Sequence, residues 1–561
     1  MKTRHLYFVL FTTIILGSCA NIIPLEGGPR DTTPPKLIKA IPDTFSLSFH
    51  ASKIILIFNE FVVISNASKE VFVSPPMKIK PELILKGKSV DVVLKDTLLP
   101  NTTYIIRFGK SIADNNEGNI ASTLTYVFST GTFIDSLKIR FKTLDAFTLK
   151  PIADATIMLY NTQSDSLAYH YDPYYIGESK ADGSSSLEYL ANGNFAVVAI
   201  KESNRNLRYD KPDEWIGFLD HTVQSGDSVE HRILMFREQK GENKLRFARM
   251  IHPGKICFVF QQPVDSAKIE PLTDSLPAFA TAIEFGSAAH DSILYWYKPI
   301  LSDTLKFRIW QNNSWDTISV KKPRPQSVGS GNKGKGSQTA TIQPEIPKLE
   351  IKTASSADAD YTLPVTFIAS APIEKLNPLL ATLRTDNSPV LFELDFKDTL
   401  HRQLQLKTKL TPGKSYTFTL LPNCLTDLFG QSHDTLVFNI KTTLPSDYSE
   451  ITMEIENISN TPTILLQWID EKEQIVQQKT GNINEEGQAI VVFSRILQGK
   501  YTLRLIYDTN QNNKWDTGDY AIGQQPEKVS YYPQIIEVKK GFDMTLQWQI
   551  GKTDSRGKNK N

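Results

Sequence analysis

Cysteine is scarce in this 561-residue chain: Cys19, Cys257 and Cys424 are all it has. The last two lie far apart, so a disulfide framework is not expected and both read as buried free thiols. Charge of one sign is also missing, with 62 Lys and Arg against 61 Asp and Glu. That balance leaves no electrostatic footprint for a nucleic-acid partner. The nine histidines are scattered without a His-x-x-x-His pair, and no Gly-x-Ser-x-Gly elbow occurs. Neither a zinc site nor a metalloprotease helix is visible, and no nucleophile of the hydrolase type announces itself. Long amphipathic stripes are absent too, which excludes helical bundles and coiled coils. The stretch GSGNKGKGS, residues 329–337, approaches a phosphate loop. Gly336, however, stands where Ser or Thr should follow the lysine, and nothing strand-like or helical frames it, so it reads as a linker.

What remains is short alternating apolar runs bounded by Pro, Gly, Asn and Asp, such as SKIILIFNEFVV, SVDVVLKD and TTYIIRFG. Side chains of a strand alternate between its faces, so this period marks half-buried strands, and strands of this length and spacing predict β-sandwiches. A chain this long exceeds the roughly 250–300 residues one core can organise, so several domains are expected.

Internal repeats divide the chain. LLPNTTYIIRFGKSIADNNEGN matches LTPGKSYTFTLLPNCLTDLFGQ at one offset: Pro412 minus Pro100, Tyr416 minus Tyr104 and Gly430 minus Gly118 all give 312. A fainter third copy is ICFVFQQPVD, residues 256–265, which echoes IILIFNEFVV at residues 54–63. A second repeat aligns GNFAVVAIKESNRNLRYDKPDEWIG with GKYTLRLIYDTNQNNKWDTGDYAIG. Here Gly499 minus Gly193, Asp516 minus Asp210 and Gly523 minus Gly217 are each 306.

That second repeat contains the strongest candidate site. Counting Asp508 as position 1, oxygen-bearing side chains fall at positions 1, 3, 5, 9 and 12 as Asp508, Asn510, Asn512, Asp516 and Asp519. This is the spacing by which an EF-hand-like loop wraps Ca2+, a hard cation that takes six to eight oxygens. The first copy offers Glu202, Asn204, Asn206, Asp210 and Asp213. Three features oppose calcium. Position 6 is Asn513 or Leu207 in place of the turn glycine, position 12 is Asp and not a bidentate Glu, and the flanks read as strands. A left-handed backbone at position 6 suits Asn513 and strains Leu207. The competing reading is a long hairpin tip whose Asn and Asp side chains bond their own backbone. A third candidate is aromatic: Tyr295, Trp296, Tyr297, Trp310 and Trp315 cluster in one domain, either as core or as a surface on which sugar rings stack.

The N-terminus carries an address. Lys2 and Arg4 precede the apolar run LYFVLFTTIIL, too short for a stable anchor, and Gly17-Ser18-Cys19 follows. Small residues before a cysteine resemble the lipobox of bacterial lipoproteins. The resemblance implies cleavage before Cys19, acylation of its thiol by diacylglycerol, and attachment to a membrane without spanning it. DTTPPKLIKAIPD, IILIFNEFV and LPNTTYIIRFGKSIADNNEGN resemble the SbsA-type bacterial Ig-like domain. Residues 347–443 keep the second half of that pattern without its Thr-Pro-Pro entry. KPIADATIMLY, ADGSSSLEYLANGNFAVVAI and EGQAIVVFSRILQGKYTLRLIYD resemble prealbumin-like or carboxypeptidase-regulatory-like modules. Such resemblances imply fold and anchoring, not activity.

The sequence thus predicts an all-β chain of tandem Ig-like and prealbumin-like sandwiches in an elongated array. A signal peptide (1–18) and tether (19–30) lead into an Ig-like domain (31–132), a prealbumin-like domain (135–238) and an Ig-like domain (241–320). A linker (321–346), an Ig-like domain (347–444), a prealbumin-like domain (446–552) and a polar tail (553–561) follow. The expected function is non-enzymatic: a lipoprotein of the outer membrane, on the periplasmic face because ANIIP after Cys19 carries no acidic run. It is structural or adhesive and meets an envelope protein or a glycan. The alternatives are a glycan-binding lipoprotein of a nutrient-uptake system and an enzyme with an unrecognised site.

Overall fold

The computed structural model describes residues 31–551 apart from 165, 203, 212–213, 239–243, 262–263, 265–267, 273–283, 287–290, 301, 312–313, 323–325, 328–340, 343–345, 355–357 and 459–461. Cys19, the tether and the stretch 329–337 lie outside these residues. Among them nearly every element is a strand, and no helix is long and apolar enough to cross a membrane.

In the first module the strands Leu37–Ile41, Lys53–Phe58, Ser89–Val93 and Glu82–Lys86 form one sheet in that order. Phe72–Ser74, Thr103–Arg107 and Thr125–Ser129 form another. The alternation in KIILIF turns Ile54, Leu56 and Phe58 inward, each at most 1% exposed, against Tyr104, Tyr126 and Phe128. The module at 351–441 repeats the plan with Ile351–Thr353, Val365–Ala369, Gln403–Lys407 and Glu393–Phe396. The constant offset of 312 has a physical cause: the buried phenols of Tyr104 and Tyr416 each accept an amide five residues upstream, from Leu99 and Thr411, at 2.8 Å. Thr130 and Thr442 then donate their hydroxyls to the carbonyls of the same two residues at 2.7 Å. Proline turn, tyrosine and terminal threonine are one hydrogen-bonded unit, so they recur together. Leu245–His252, Lys255–Phe260, Ser292–Trp296 and Glu284–Phe285 adopt the same sheet order. Residues 256–260 of the faint echo therefore sit in the second strand, as their counterparts do.

The remaining two modules share a different plan. Each opens with a strand whose parallel neighbour is its last: Leu137–Asp145 beside Glu230–Met235, and Tyr448–Glu456 beside Met544–Gln549. A five-stranded sheet covers this three-stranded one, and the interiors are closed by Phe141 and Leu187 in one copy and Trp468 and Phe493 in the other.

Successive modules touch through specific contacts. Arg205 bridges Glu70 of the first module (2.5 Å) and Glu178 of its own (3.0 Å). Trp296, Ala371, Leu400 and Leu428 form a small apolar cluster between the third and fourth, beside Phe429. Gly254 is pressed so close to the Phe429 ring that a Cβ there would collide with it, and its φ of +100° suits glycine alone. Arg495 pairs with Asp360 at 2.6 Å and stacks 4.2 Å over Tyr448, joining the fourth module to the fifth.

The sandwiches are tandem as expected, but the array is not extended along its whole length, because the fifth module folds back onto the second. Leu465, Ile506 and Val529, on the outward face of the fifth module's five-stranded sheet, are at most 5% exposed and pack with Phe147 of the second. The five-stranded sheet of the second module turns Met158, Tyr160, Ile200 and Ile216 into a cluster that Tyr520 completes. Two modules that each leave one apolar sheet face uncovered satisfy both by pairing them.

Candidate functional site

The two polar loops of the 306 repeat have one backbone design. Glu202 accepts the amides of Asn206 (2.8 Å) and Leu207 (3.0 Å), and Asp508 accepts those of Asn512 (3.1 Å) and Asn513 (2.9 Å). Leu207 and Asn513 sit at φ +59° and +60°, and Arg205 and Gln511 are also left-handed, at +52° and +62°. Position 6 is thus left-handed in both copies, at Leu207 in spite of its side chain as well as at Asn513, so the residue there does not exclude the EF-hand-like turn, and the paired amide bonds hold it. Across each turn two asparagine amides converge on one carboxylate: Asn204 and Asn206 on Asp210 (3.3 and 2.6 Å), Asn510 and Asn512 on Asp516 (2.6 and 2.7 Å).

Asp519 does not join that set. Its carboxylate accepts the amide of Ile522 at 3.2 Å, and its backbone pairs with Gln524 in a separate turn. Asp213 lies outside the described residues. Among the described residues no three His, Cys, Asp or Glu side chains are disposed to hold a metal ion. The acids and amides of both loops engage backbone amides and one another, as Asx-turn chemistry requires.

Two carboxylates outside the sequence pattern close the loops. The carboxylate of Glu214, 2% exposed, accepts the amides of Asp210 and Lys211 (both 3.1 Å). In the other copy the amide of Asp516 goes to Glu527 (3.1 Å), which also takes the amide (2.7 Å) and hydroxyl (2.8 Å) of Thr509. Glu527 minus Glu214 is 313, seven more than the offset before the loop. The strands agree: Phe218 pairs with Val198 and Tyr531 with Arg504, and the differences are 313 and 306. The fifth module therefore carries seven extra residues after Asp516, although the letters run on without a gap to Gly523. The length between Asp516 and the strand Val529–Tyr531 was the available signal.

Those extra residues form a latch. Tyr520, 5% exposed, inserts among Tyr169 (5.3 Å between ring centroids), Phe218 (5.3 Å) and Tyr209 (6.3 Å) of the second module. Its phenol accepts the amide of Ala168 (3.1 Å), and its own amide donates to the buried carboxylate of Glu238. Burial, reinforced by Glu238, raises the phenol of Tyr209 and pushes that of Tyr169 to about 12, so both stay protonated at neutral pH. Thr517 donates to the carbonyl of Arg237 (2.8 Å) and Gln525 to that of Phe218 (2.9 Å). Trp515, held by an indole bond to the Glu527 carbonyl (2.8 Å), packs 4.9 Å from Phe147. Lys150 meets Glu473 at 2.7 Å on the rim.

The aromatic cluster of the third module splits in two. Tyr295 and Tyr297 are core, at 9% and 2% exposure, and Trp296, at 4%, is buried in the contact with the fourth module, while Trp310 is 42% exposed and stands 5.3 Å from Trp315.

Compared with known proteins, residues 31–130 match the family model described as Bacterial Ig-like domain. No curated protein matches the sequence. Among solved structures the chain is similar to the major pilin subunit of Bacillus cereus, at 10% identity over 74% of this chain and 99% of that one, with a TM-score of 0.15. It is similar as well to the S-layer protein rSbsC(31-844), at 12% identity over 90% and 67% of the two chains, with a TM-score of 0.16. The Bacillus anthracis TIE protein gives 10% identity over 94% and 75%, with a TM-score of 0.14. TM-scores this low carry no argument about arrangement or activity.

Proposed function

We propose that this is a lipid-anchored, non-enzymatic protein of the bacterial outer membrane, on its periplasmic face. It serves as a structural or adhesive scaffold that presents β-sandwich surfaces to an envelope protein or a glycan. The observation that carries this reading is the way the polar loops are used. Their acids and amides hold turns, and the longer loop spends its aromatic residue on docking one sandwich against another. Side chains arranged in this way stiffen a multi-domain body, as a scaffold needs. The bacterial Ig-like match over residues 31–130 supports the same reading at the level of fold, and Cys19 supplies the anchor.

The test is fractionation of cells making the Cys19→Ala variant, with metabolic labelling by a fatty-acid analogue. Loss of label together with release from membranes, or accumulation of the uncleaved precursor, is expected. Membrane retention equal to the parent without label would overturn the anchoring. Crosslinking in intact cells followed by affinity capture identifies the partner.

A further inference from the structure

We propose that the outward face of the three-stranded sheet Lys268–Pro271, Thr304–Gln311 and Ser314–Lys321 binds an acidic polysaccharide. The inference rests on the scaffold reading above and names one of its surfaces. The inward residues of the central strand, Leu305, Phe307 and Ile309, are at most 1% exposed and already supply the core. Trp310 and Trp315 are not needed there. Cross-strand register sets Trp310 opposite both Trp315 and Lys268, Arg308 opposite Glu270 and Thr317, Lys306 opposite Ser319, and Thr304 opposite Lys321. The alternation of a strand then places all of these on one face.

The two indoles meet at 68°, forming a corner. Arg308 lies 4.4 Å and Lys268 5.4 Å from the ring centre of Trp315, so cations brace that ring and leave Trp310 as the open wall. Arg308 and Lys268 are in turn fixed by Glu270, at 2.5 and 3.4 Å. Trp is highly buried on average, and Trp and Arg are among the residues enriched where binding energy concentrates. With Glu270 holding Lys268 and Arg308, the described face presents these two cations and the exposed Lys321 against a single carboxylate. Hydroxyls of Thr317 and Ser319 line the strand between them. Aromatic walls suit the C–H face of a sugar ring, hydroxyls suit its hydroxyls, and an excess of cations suits a ring bearing carboxylates.

The experiment titrates the full chain with polygalacturonate, with neutral dextran and with anionic phospholipid vesicles, following binding by calorimetry. Saturable binding to polygalacturonate that weakens with added salt is expected, with none to dextran. Trp310→Ala should weaken it about tenfold or more, Trp310→Phe should retain most of it, and Lys321→Glu should weaken it with an unchanged melting temperature. Lys321 is an exposed site, so that variant reports on binding even where a tryptophan variant unfolds. No binding to polygalacturonate, equal binding to dextran, preference for vesicles, or parental affinity in both Trp310→Ala and Lys321→Glu would each overturn the proposal. Anchoring through Cys19 would stand or fall separately, because it is read from membrane retention and not from affinity.

Discussion

The loops at 202–214 and 508–527 share a backbone through Asp210 and Asp516 and then part. In the second module a glutamate four residues on, Glu214, closes the turn, and the chain re-enters its sheet at Trp215. In the fifth, the closing glutamate waits until Glu527, and the intervening residues reach across to another module. The same turn hands one side chain, Arg205, to Glu70 of the first module in one copy and becomes a docking arm in the other. The oxygens shared by the two copies shape the loop, and the extra residues bring Tyr520 into the second module beside the contacts that Trp515 and Gln525 make there.

The largest effect expected from breaking that contrast is at Tyr520. Tyr520→Ala removes a buried ring from an aromatic socket and should destabilise the joined modules by about 3 kcal/mol. Denaturant titration reads the loss, and small-angle scattering should show the chain opening. Glu527→Ala should follow, at about 1–3 kcal/mol, because it leaves the amides of Thr509 and Asp516 without their acceptor. Tyr520→Phe separates packing from polarity: it keeps the ring, loses the acceptor for the Ala168 amide, and should cost about 1 kcal/mol.

A smaller difference is one of pH. Burial raises the carboxyls of Glu202 and Glu214, with Asp210 adding repulsion against the amides that stabilise their charged forms. A folded pKa above the unfolded one means that the native state binds the proton more tightly. The stabilisation is then complete below the unfolded pKa near 4.5 and is lost as pH rises through the raised folded value. Denaturant midpoints of the second module should therefore fall between mildly acidic and neutral pH, and Glu214→Gln should flatten the change. Smaller again is position 6 of the turn. Leu207→Gly relieves a left-handed leucine but gives up its packing on the Tyr209 cluster, so stability should stay within about 1 kcal/mol of the parent, and Asn513→Gly should change it less. The smallest effect expected is none: with Asp508 and Asp516 engaged by amides, melting in millimolar calcium should equal melting in chelator. A rise of several degrees, lost in Asp508→Ala with Asp516→Ala, would instead decide for calcium in this loop.

Much of the fold was legible because it is written locally. Strand alternation in KIILIF exposes its own period, and the proline, tyrosine and threonine around Tyr104 and Tyr416 recur because they bond one another. The loops were legible as turns, but not the left-handed backbone that Leu207 adopts, because a leucine there argues against it locally and only the paired amide bonds to Glu202 impose it. The insertion was not, because an aspartate and a glycine happen to fall at the old offset and hide the longer path to Val529. Tyr520 was invisible for a further reason. A lone aromatic in a polar loop has no periodic neighbours, and its partners Tyr169 and Phe218 lie some 300 residues away in a surface that only the folded second module creates. The aromatic cluster was legible as a group, but its division into core and surface depended on strand register, which places Trp310 outward and Tyr295 inward.

The fold-back itself is tested most directly by zero-length carbodiimide crosslinking of the intact protein at low concentration. Lys150 and Glu473 are 323 residues apart in sequence and 2.7 Å apart in space, on the rim of the contact that Tyr520 closes. Peptide mapping should recover an amide bond between them within single molecules, and its yield should drop in Tyr520→Ala. Efficient coupling elsewhere on the chain with no Lys150–Glu473 product would show that the second and fifth modules do not meet, and that the sandwiches run as an open row.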